Sequence, residues 1–180
     1  MHRLIALSFC IALAACANAQ PDQMVSTGGT PLPQGSPLRA GISVGDVAGA
    51  TGHATADIQS SVTTEAFSEA LRETLAARGM LAQKQSGYVL AAEIIDLKQP
   101  QMRDLEMHVG ATVRYALSTS AARLVFVRTV HTDFTADWRR TLKSGERLQL
   151  ATEGAMRENI RAFLEQLIAA ARTGRAFKHP

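Results

Sequence analysis

Few side chains in this sequence have the type and spacing to do chemistry. His108, His131 and Asp133 lie on two successive runs of alternating polarity. Folded as a hairpin, those runs place His108 opposite Asp133 and His131 opposite Gly110, all on one face. Two imidazoles and a carboxylate could ligate a metal. A cross-strand His–Asp pair on a solvent face needs none, so neither a metal nor any other cofactor is expected. Glu93 and Asp96 are three apart on a predicted strand, point to opposite faces and cannot work as an acid–base pair. Gly45, Gly49, Gly52 and His53 suggest a phosphate cradle, but their spacing matches neither Walker A nor the dinucleotide fingerprint, and no lysine follows. A mobile loop over 45–57 accounts for them. No HExxH, CxxC or Gly-x-Ser-x-Gly occurs. The sequence therefore predicts a protein that is not an enzyme. Its 2 cysteines, Cys10 and Cys16, both precede any predicted fold, so no disulfide can staple the domain.

Cys16 has a chemical context of its own. The chain opens with Met1-His2-Arg3, runs apolar over 4–12, and reaches Cys16 through Leu13-Ala14-Ala15. A basic start, a short apolar run and small residues describe a secretory signal over 1–15, too short to span a membrane. Leu13-Ala14-Ala15-Cys16 resembles the lipobox of bacterial lipoproteins. That resemblance implies that Cys16 is diacylated on sulfur, that the signal is cut just before it, and that the new amino group is acylated. Such chemistry needs a thiol as the alkyl acceptor and small residues that fit the peptidase. The alternative is cleavage after Ala17-Asn18-Ala19, which would leave a soluble periplasmic protein. Ala17, rather than Asp, follows the cysteine. By the sorting rule of enterobacterial lipoproteins this implies the outer membrane, periplasmic face, with the lipid as anchor.

The elements that must position these groups follow from periodicity. Met107, Val109, Ala111, Val113, Tyr115 and Leu117 alternate with mostly polar residues, as do Leu124, Phe126, Val130, Phe134 and Trp138 on the returning run. A turn at Ser120-Ala121 would face Leu117 with Leu124, Tyr115 with Phe126, Ala111 with Val130 and Met107 with Phe134. Strands are also predicted over 40–47 and 88–97, the latter apolar on both faces and therefore interior. A helix over 58–78 gathers Ile58, Val62, Ala66, Phe67, Ala70, Leu71, Thr74 and Leu75 on one stripe, with Gly79 placed to end it. A second helix over 146–171 carries Ile160, Phe163, Leu164 and Leu167. Phe67, Leu71, Leu75, Tyr115, Phe126, Ile160, Phe163 and Leu167 are the expected core. The order β-α-β-β-β-α predicts an α+β two-layer sandwich, with a four-stranded, mainly antiparallel sheet and two helices on one face.

Residues 16–38 carry Pro21, Pro31, Pro33 and Pro37 with Gly28, Gly29 and Gly35, and show no apolar period. They read as a lipidated N-terminus and flexible tether, roughly 20 residues with a reach of about 25 Å. One α+β domain is expected over 39–172, with a basic tail over 173–180. At 180 residues, 46% hydrophobic and a net charge of +3 with scattered cations, the chain can bury a core and has no nucleic-acid footprint.

The densest motif is Glu153-Gly154-Ala155 with Arg157 and Asn159-Ile160. Glu153 and Arg157 have the spacing of an ordinary helical ion pair. A mid-helix glycine costs about 1 kcal/mol against alanine, and close backbone packing would justify Gly154. Together with Gln99-Pro100, Val109, Val113-Arg114-Tyr115, Glu146-Arg147-Leu148 and Phe163-Leu164, this motif resembles a family of small proteobacterial envelope lipoproteins of unassigned function. More loosely, the element order is similar to the YajG and LptE lipoproteins. The role expected of such a chain is that of a non-enzymatic binding or assembly factor for an envelope partner, protein or lipid. The other reading is a carrier of lipid or another apolar ligand between sheet and helices. A roomy cavity would favour carriage, and a packed core with an exposed apolar patch would favour a partner surface.

Overall fold

A computed structural model describes residues 17–49, 60–84, 86–100, 106–137, 139 and 141–173. Its centre is a four-stranded sheet in the order β2-β4-β5-β6. The strands are β2 (Ile42–Gly49), β4 (Tyr88–Lys98), β5 (Met107–Thr119) and β6 (Leu124–Ala136). The β4–β5 and β5–β6 pairs are antiparallel, and β2–β4 is parallel. The α+β sandwich predicted from the sequence is thus present, with a mixed sheet. The parallel pair follows from connectivity, because the chain between β2 and β4 crosses over through α2 (Thr64–Ala77). Helix α3 (Ser144–Thr173) packs on β5 and β6, and α2 packs by β2. β4 is interior, as its two-sided apolar pattern predicts, yet Ile95 stays 48% exposed on the face that no helix covers.

The hairpin has the expected faces and a different register. Met107, Val109, Ala111, Val113, Tyr115 and Leu117 are all buried, and Phe126 and Val130 join them from β6. Leu117, however, opposes Phe126 rather than Leu124, and Tyr115 opposes Arg128 rather than Phe126. Likewise Ala111 meets Thr132, and Met107 meets Ala136. The shift is two residues, so no side chain from Phe126 onward changes face. It originates at the turn. Ala122 takes a left-handed φ of 59°, and the Thr119 amide donates to the Arg123 carbonyl at 2.8 Å. The register then slips between Leu117 and Ser118, where Val125 is the extra residue of a bulge. Leu124, assigned to the core face from the sequence, is 58% exposed as a result.

The expected core residues are buried. Phe67, Leu71, Leu75, Tyr115, Ile160, Phe163 and Leu167 are fully buried, and Phe126 is nearly so. Tyr115 stacks on Phe163 with ring centroids 4.0 Å apart, and Phe67 and Phe126 tilt against this pair. One polar knot sits inside. The Tyr115 hydroxyl donates to Asn159 Oδ1 at 2.9 Å, and Asn159 Nδ2 donates to the carbonyls of Ala111 and Val130 at 3.1 and 2.9 Å. Burial raises the Tyr115 phenol well above its ordinary pKa, so it remains a neutral donor.

The helix ends follow the sequence closely. Thr63 caps α2, its side chain accepting from the Ala66 amide at 3.1 Å. The helix therefore starts at Thr64, later than the expected 58. At the other end Gly79 has φ 65°. The Met80 and Gly79 amides donate back to the Leu75 and Ala76 carbonyls at 2.8 and 2.9 Å, which is a Schellman closure. Gly45 and Gly49 belong to β2 rather than to a loop. Gly52 and His53 lie outside the described residues, as do Ile58, Trp138 and the tail over 174–180.

The largest departure is the stretch read as a tether. Residues 18–38 lie as a strap against α2 and α3, and the packed unit starts well before residue 39. β1 (Ala17–Asn18) pairs in parallel with β3 (Ser60–Ser61), and α1 (Pro21–Met24) touches both long helices. Ala19, Met24, Ser26 and Leu38 are buried. Isolated apolar anchors and helix-borne polar groups hold this segment, so no period could reveal it.

Candidate functional site

The predicted lipidation residue, Cys16, lies immediately before the described residues. The strap that follows it is fastened to α3 by hydrogen bonds. The Asn18 carbonyl accepts from Gln149 Nε2 at 3.2 Å, and the Gln20 amide donates to Glu153 Oε1 at 2.8 Å. Arg157 donates to the Gln23 carbonyl. The Thr30 amide donates to Glu165 Oε1 at 2.8 Å, and Arg172 donates to the Pro31 carbonyl at 3.1 Å. Strap numbers and α3 numbers rise together, so the strap runs along α3 in the same direction. At 1.5 Å per helical residue, the span from Gln149 to Arg172 is about 35 Å, which makes the strap extended.

This seam corrects the reading of the 153–164 motif. Glu153 and Arg157 do not form the expected ion pair. Glu153 is 2% exposed and accepts from the strap and from Gln149 Nε2. Arg157 reaches the strap with its guanidinium 6.0 Å over the Phe134 ring. Gly154 has the role expected of it, since a Cβ there would lie 2.4 Å from the Phe134 ring. Asn159 holds the buried knot. Sequence reading missed Arg78 and Glu165, which pair at 3.3 Å, while Arg78 also donates to the carbonyls of Gly28 and Thr30. Burial pushes the Glu165 carboxyl up. Hydrogen bonds from Thr30 and Arg78, with the arginine's charge, outweigh this and leave it below the usual carboxylate range. The available signal was a polar stripe at helical spacing, from Gln149 through Glu153, Arg157 and Glu165 to Arg172.

The His–Asp trio does come together, His108 by a diagonal cross-strand contact and His131 as the neighbour two residues along the same strand. Asp133 opposes Gly110, and His108 opposes Thr135. Asp133 nonetheless sits 3.5 Å from His108 Nε2 and 3.2 Å from His131 Nε2. The two Nδ1 atoms face Thr135 and Thr112 hydroxyls at 2.9 and 3.0 Å. Every imidazole nitrogen is thus engaged, on side chains about half exposed or more. Among the described residues no group of three or more His, Cys, Asp or Glu is placed to hold a metal. Glu93 is exposed, and Arg114 lies 3.9 Å from it.

Two surface features went unnoticed in the sequence. An open groove of about 600 Å³ lies between β6 and the last turns of α3. Its walls include Val125, Phe126, Val127, Ala169 and Ala170, and the Arg128 guanidinium lies 4.7 Å over the Phe126 ring. Leu124, one residue before Val125 in the chain, is exposed. At the opposite end, in the β6–α3 connection, Leu142 is 83% exposed. Arg139 and Lys143 extend their side chains into solvent there, beside Asp137 and Glu146 respectively. No helix among the described residues is long and apolar enough to cross a membrane.

No protein-family model matches the chain, and no curated protein matches it either. Solved structures do. A Xanthomonas campestris protein of family DUF330 superposes with TM-score 0.58 at 12% identity, covering 81% of this chain and 94% of its own. A candidate lipoprotein from Caulobacter crescentus gives TM-score 0.52 at 16% identity, covering 76% of this chain and 94% of its own. Neither is described as a YajG or LptE protein, so that looser likeness stands unsupported. At these identities the likeness is one of fold. The chain has the fold of a group of bacterial proteins that includes a DUF330 member and a candidate lipoprotein.

Proposed function

We propose that the chain is an envelope lipoprotein, acylated at Cys16 and held on the periplasmic face of the outer membrane, where it binds a partner protein without catalysing a reaction. Strap packing that reaches back to β1 carries the anchoring half of this reading. Cleavage after Ala19 would remove β1, leave Ser60–Ser61 without its partner strand, and discard the Asn18 carbonyl that Gln149 holds. Cleavage before Cys16 keeps every one of these contacts. The filled interior supports a partner surface over carriage of an apolar ligand, because Tyr115, Phe163 and their neighbours occupy the space between sheet and helices. The groove beside β6 supplies an apolar floor and a cation, Arg128, for a segment that brings an apolar side chain and a carboxylate. β6 is also the edge of the sheet, so an extended segment could pair with it.

Two measurements test this. Intact mass of the native chain is expected to show an acylated start at Cys16, and Cys16→Ser is expected to lose both the acyl mass and the outer-membrane fractionation. A mature chain starting at Gln20 without lipid would end the anchor reading. A photo-crosslinking residue in place of Gln166, which lines the groove, is expected to capture a discrete protein in intact cells. The same residue at Lys98 is not. Capture at Lys98 and none at Gln166 would refute the groove.

A further inference from the structure

We infer that Arg139, Leu142 and Lys143, in the β6–α3 connection, form a membrane-contact surface that seats the domain directly on phospholipid headgroups. This rests on the reading of Cys16 as the anchor and adds the orientation in which the anchored domain stands.

The argument begins with where the described chain starts. Asn18 is held by Gln149 and Gln20 by Glu153, so moving back along the strap moves toward the N-terminal end of α3. Cys16 is two residues before Asn18, and an extended residue spans at most about 3.6 Å. Its Cα is therefore within about 7 Å of Asn18 and cannot swing away on a long leash. Ser144 opens α3, five residues before Gln149, or about 7.5 Å along the axis. Anchor and connection share one end of the molecule.

That end has the composition of a bilayer-facing loop. Leu142 projects an apolar side chain into solvent at 83% exposure, the highest of the large hydrophobics among the described residues. Arg139 and Lys143 flank it in the chain, and no acidic residue lies between them. Basic side chains around a projecting leucine match phosphate headgroups above an acyl layer. Asp137 and Glu146 temper the charge, so the contact suits a surface already held close by lipid better than capture from solution. The opposite end, with the 120–122 turn and the groove, then stands on the order of 35 Å above the bilayer, the length of α3 between them. A partner segment could reach the groove there without touching the membrane.

The chain's 1 tryptophan, Trp138, neighbours this loop in sequence and serves as the probe. The acylated protein is reconstituted into vesicles of phosphatidylethanolamine with a minor share of phosphatidylglycerol, with and without brominated acyl chains. Bromine is expected to quench Trp138 fluorescence substantially. A Trp138→Phe chain carrying Leu124→Trp at the far end is expected to show no quenching. In the same vesicles Leu142→Glu should relieve most of the Trp138 quenching while leaving circular dichroism unchanged, and Leu124→Glu should leave quenching as it was. Quenching equal at both ends, absent from Trp138, or indifferent to Leu142→Glu would overturn the surface. Intact mass reports the anchor separately. Residues 16–180 coupled through the Cys16 thiol to a maleimide lipid give the same readout without native acylation, and Trp138 quenching indifferent to Leu142→Glu there counts against the surface.

Discussion

Helix α3 has two working flanks, and they hold their neighbours by different means. The flank toward the sheet is mainly apolar, with Ile160, Phe163, Leu164 and Leu167 fully buried and the Tyr115–Asn159 knot among them. The flank toward the strap is polar. Glu153, Arg157, Glu165 and Arg172 reach out from it to peptide N–H and C=O groups between Gln20 and Pro31. Burial is non-directional and makes the sheet flank the main source of stability. Hydrogen bonds to backbone contribute about 1 kcal/mol net each, enough to position a segment but less than a packed aromatic. The sheet flank should therefore fail globally and the strap flank locally.

The largest test of that contrast is Phe163→Ala. It removes the ring stacked on Tyr115 and should cost about 3–5 kcal/mol in denaturant titration. A loss below about 1 kcal/mol would mean the site had collapsed around the deletion, and the contrast would lose its stronger half.

Glu153→Ala comes next. It withdraws the acceptor from the Gln20 amide and from Gln149, and should cost about 1–2 kcal/mol. The effect should appear as faster hydrogen exchange over 18–31 and easier proteolysis there, with β5 and β6 amides unchanged. Equal acceleration in the sheet would show that strap and sheet unfold as one unit.

The smallest expected effect is one of pH. The Glu165 carboxyl lies below its ordinary value in the folded chain, so the strap-released form binds the proton more readily. Its contribution is complete above about pH 4.3, the ordinary glutamate value, and is lost as pH falls through the lower folded value. Protection of the Thr30 amide relative to its intrinsic exchange rate at each pH should fall over that window, and Glu165→Gln should flatten the response. A Thr30 profile that does not change with pH would remove Glu165 from the seam.

The same contrast explains what could be read in advance. The sheet flank is written as period two in β5 and β6 and as a helical stripe in α3, because burial selects apolar side chains at each inward position. The strap offers mainly its peptide groups, which every residue carries, so its own sequence shows only Pro, Gly and a few scattered apolar residues. Its fasteners sit on α3, where Glu153 and Arg157 at a spacing of four resemble any solvent-facing pair. His108, His131 and Asp133 lay between these cases. Alternation put them on one face, His131 stays beside Asp133 on the same strand in any register, and diagonal reach kept His108 there despite the altered one.

What the amino-acid sequence determines by itself is therefore local and periodic: which residues of the hairpin share a face, which stripe of α2 turns inward, and where Gly79 ends that helix. The tertiary structure decides the two-residue register, which the hydrophobic pattern leaves degenerate because a shift of two moves no side chain across the sheet. The left-handed Ala122 and the bulge at Val125 settle it. It also decides that residues 18–38 lie against α2 and α3, because the groups that hold them are distant in the chain and meet only after both helices have packed on the sheet.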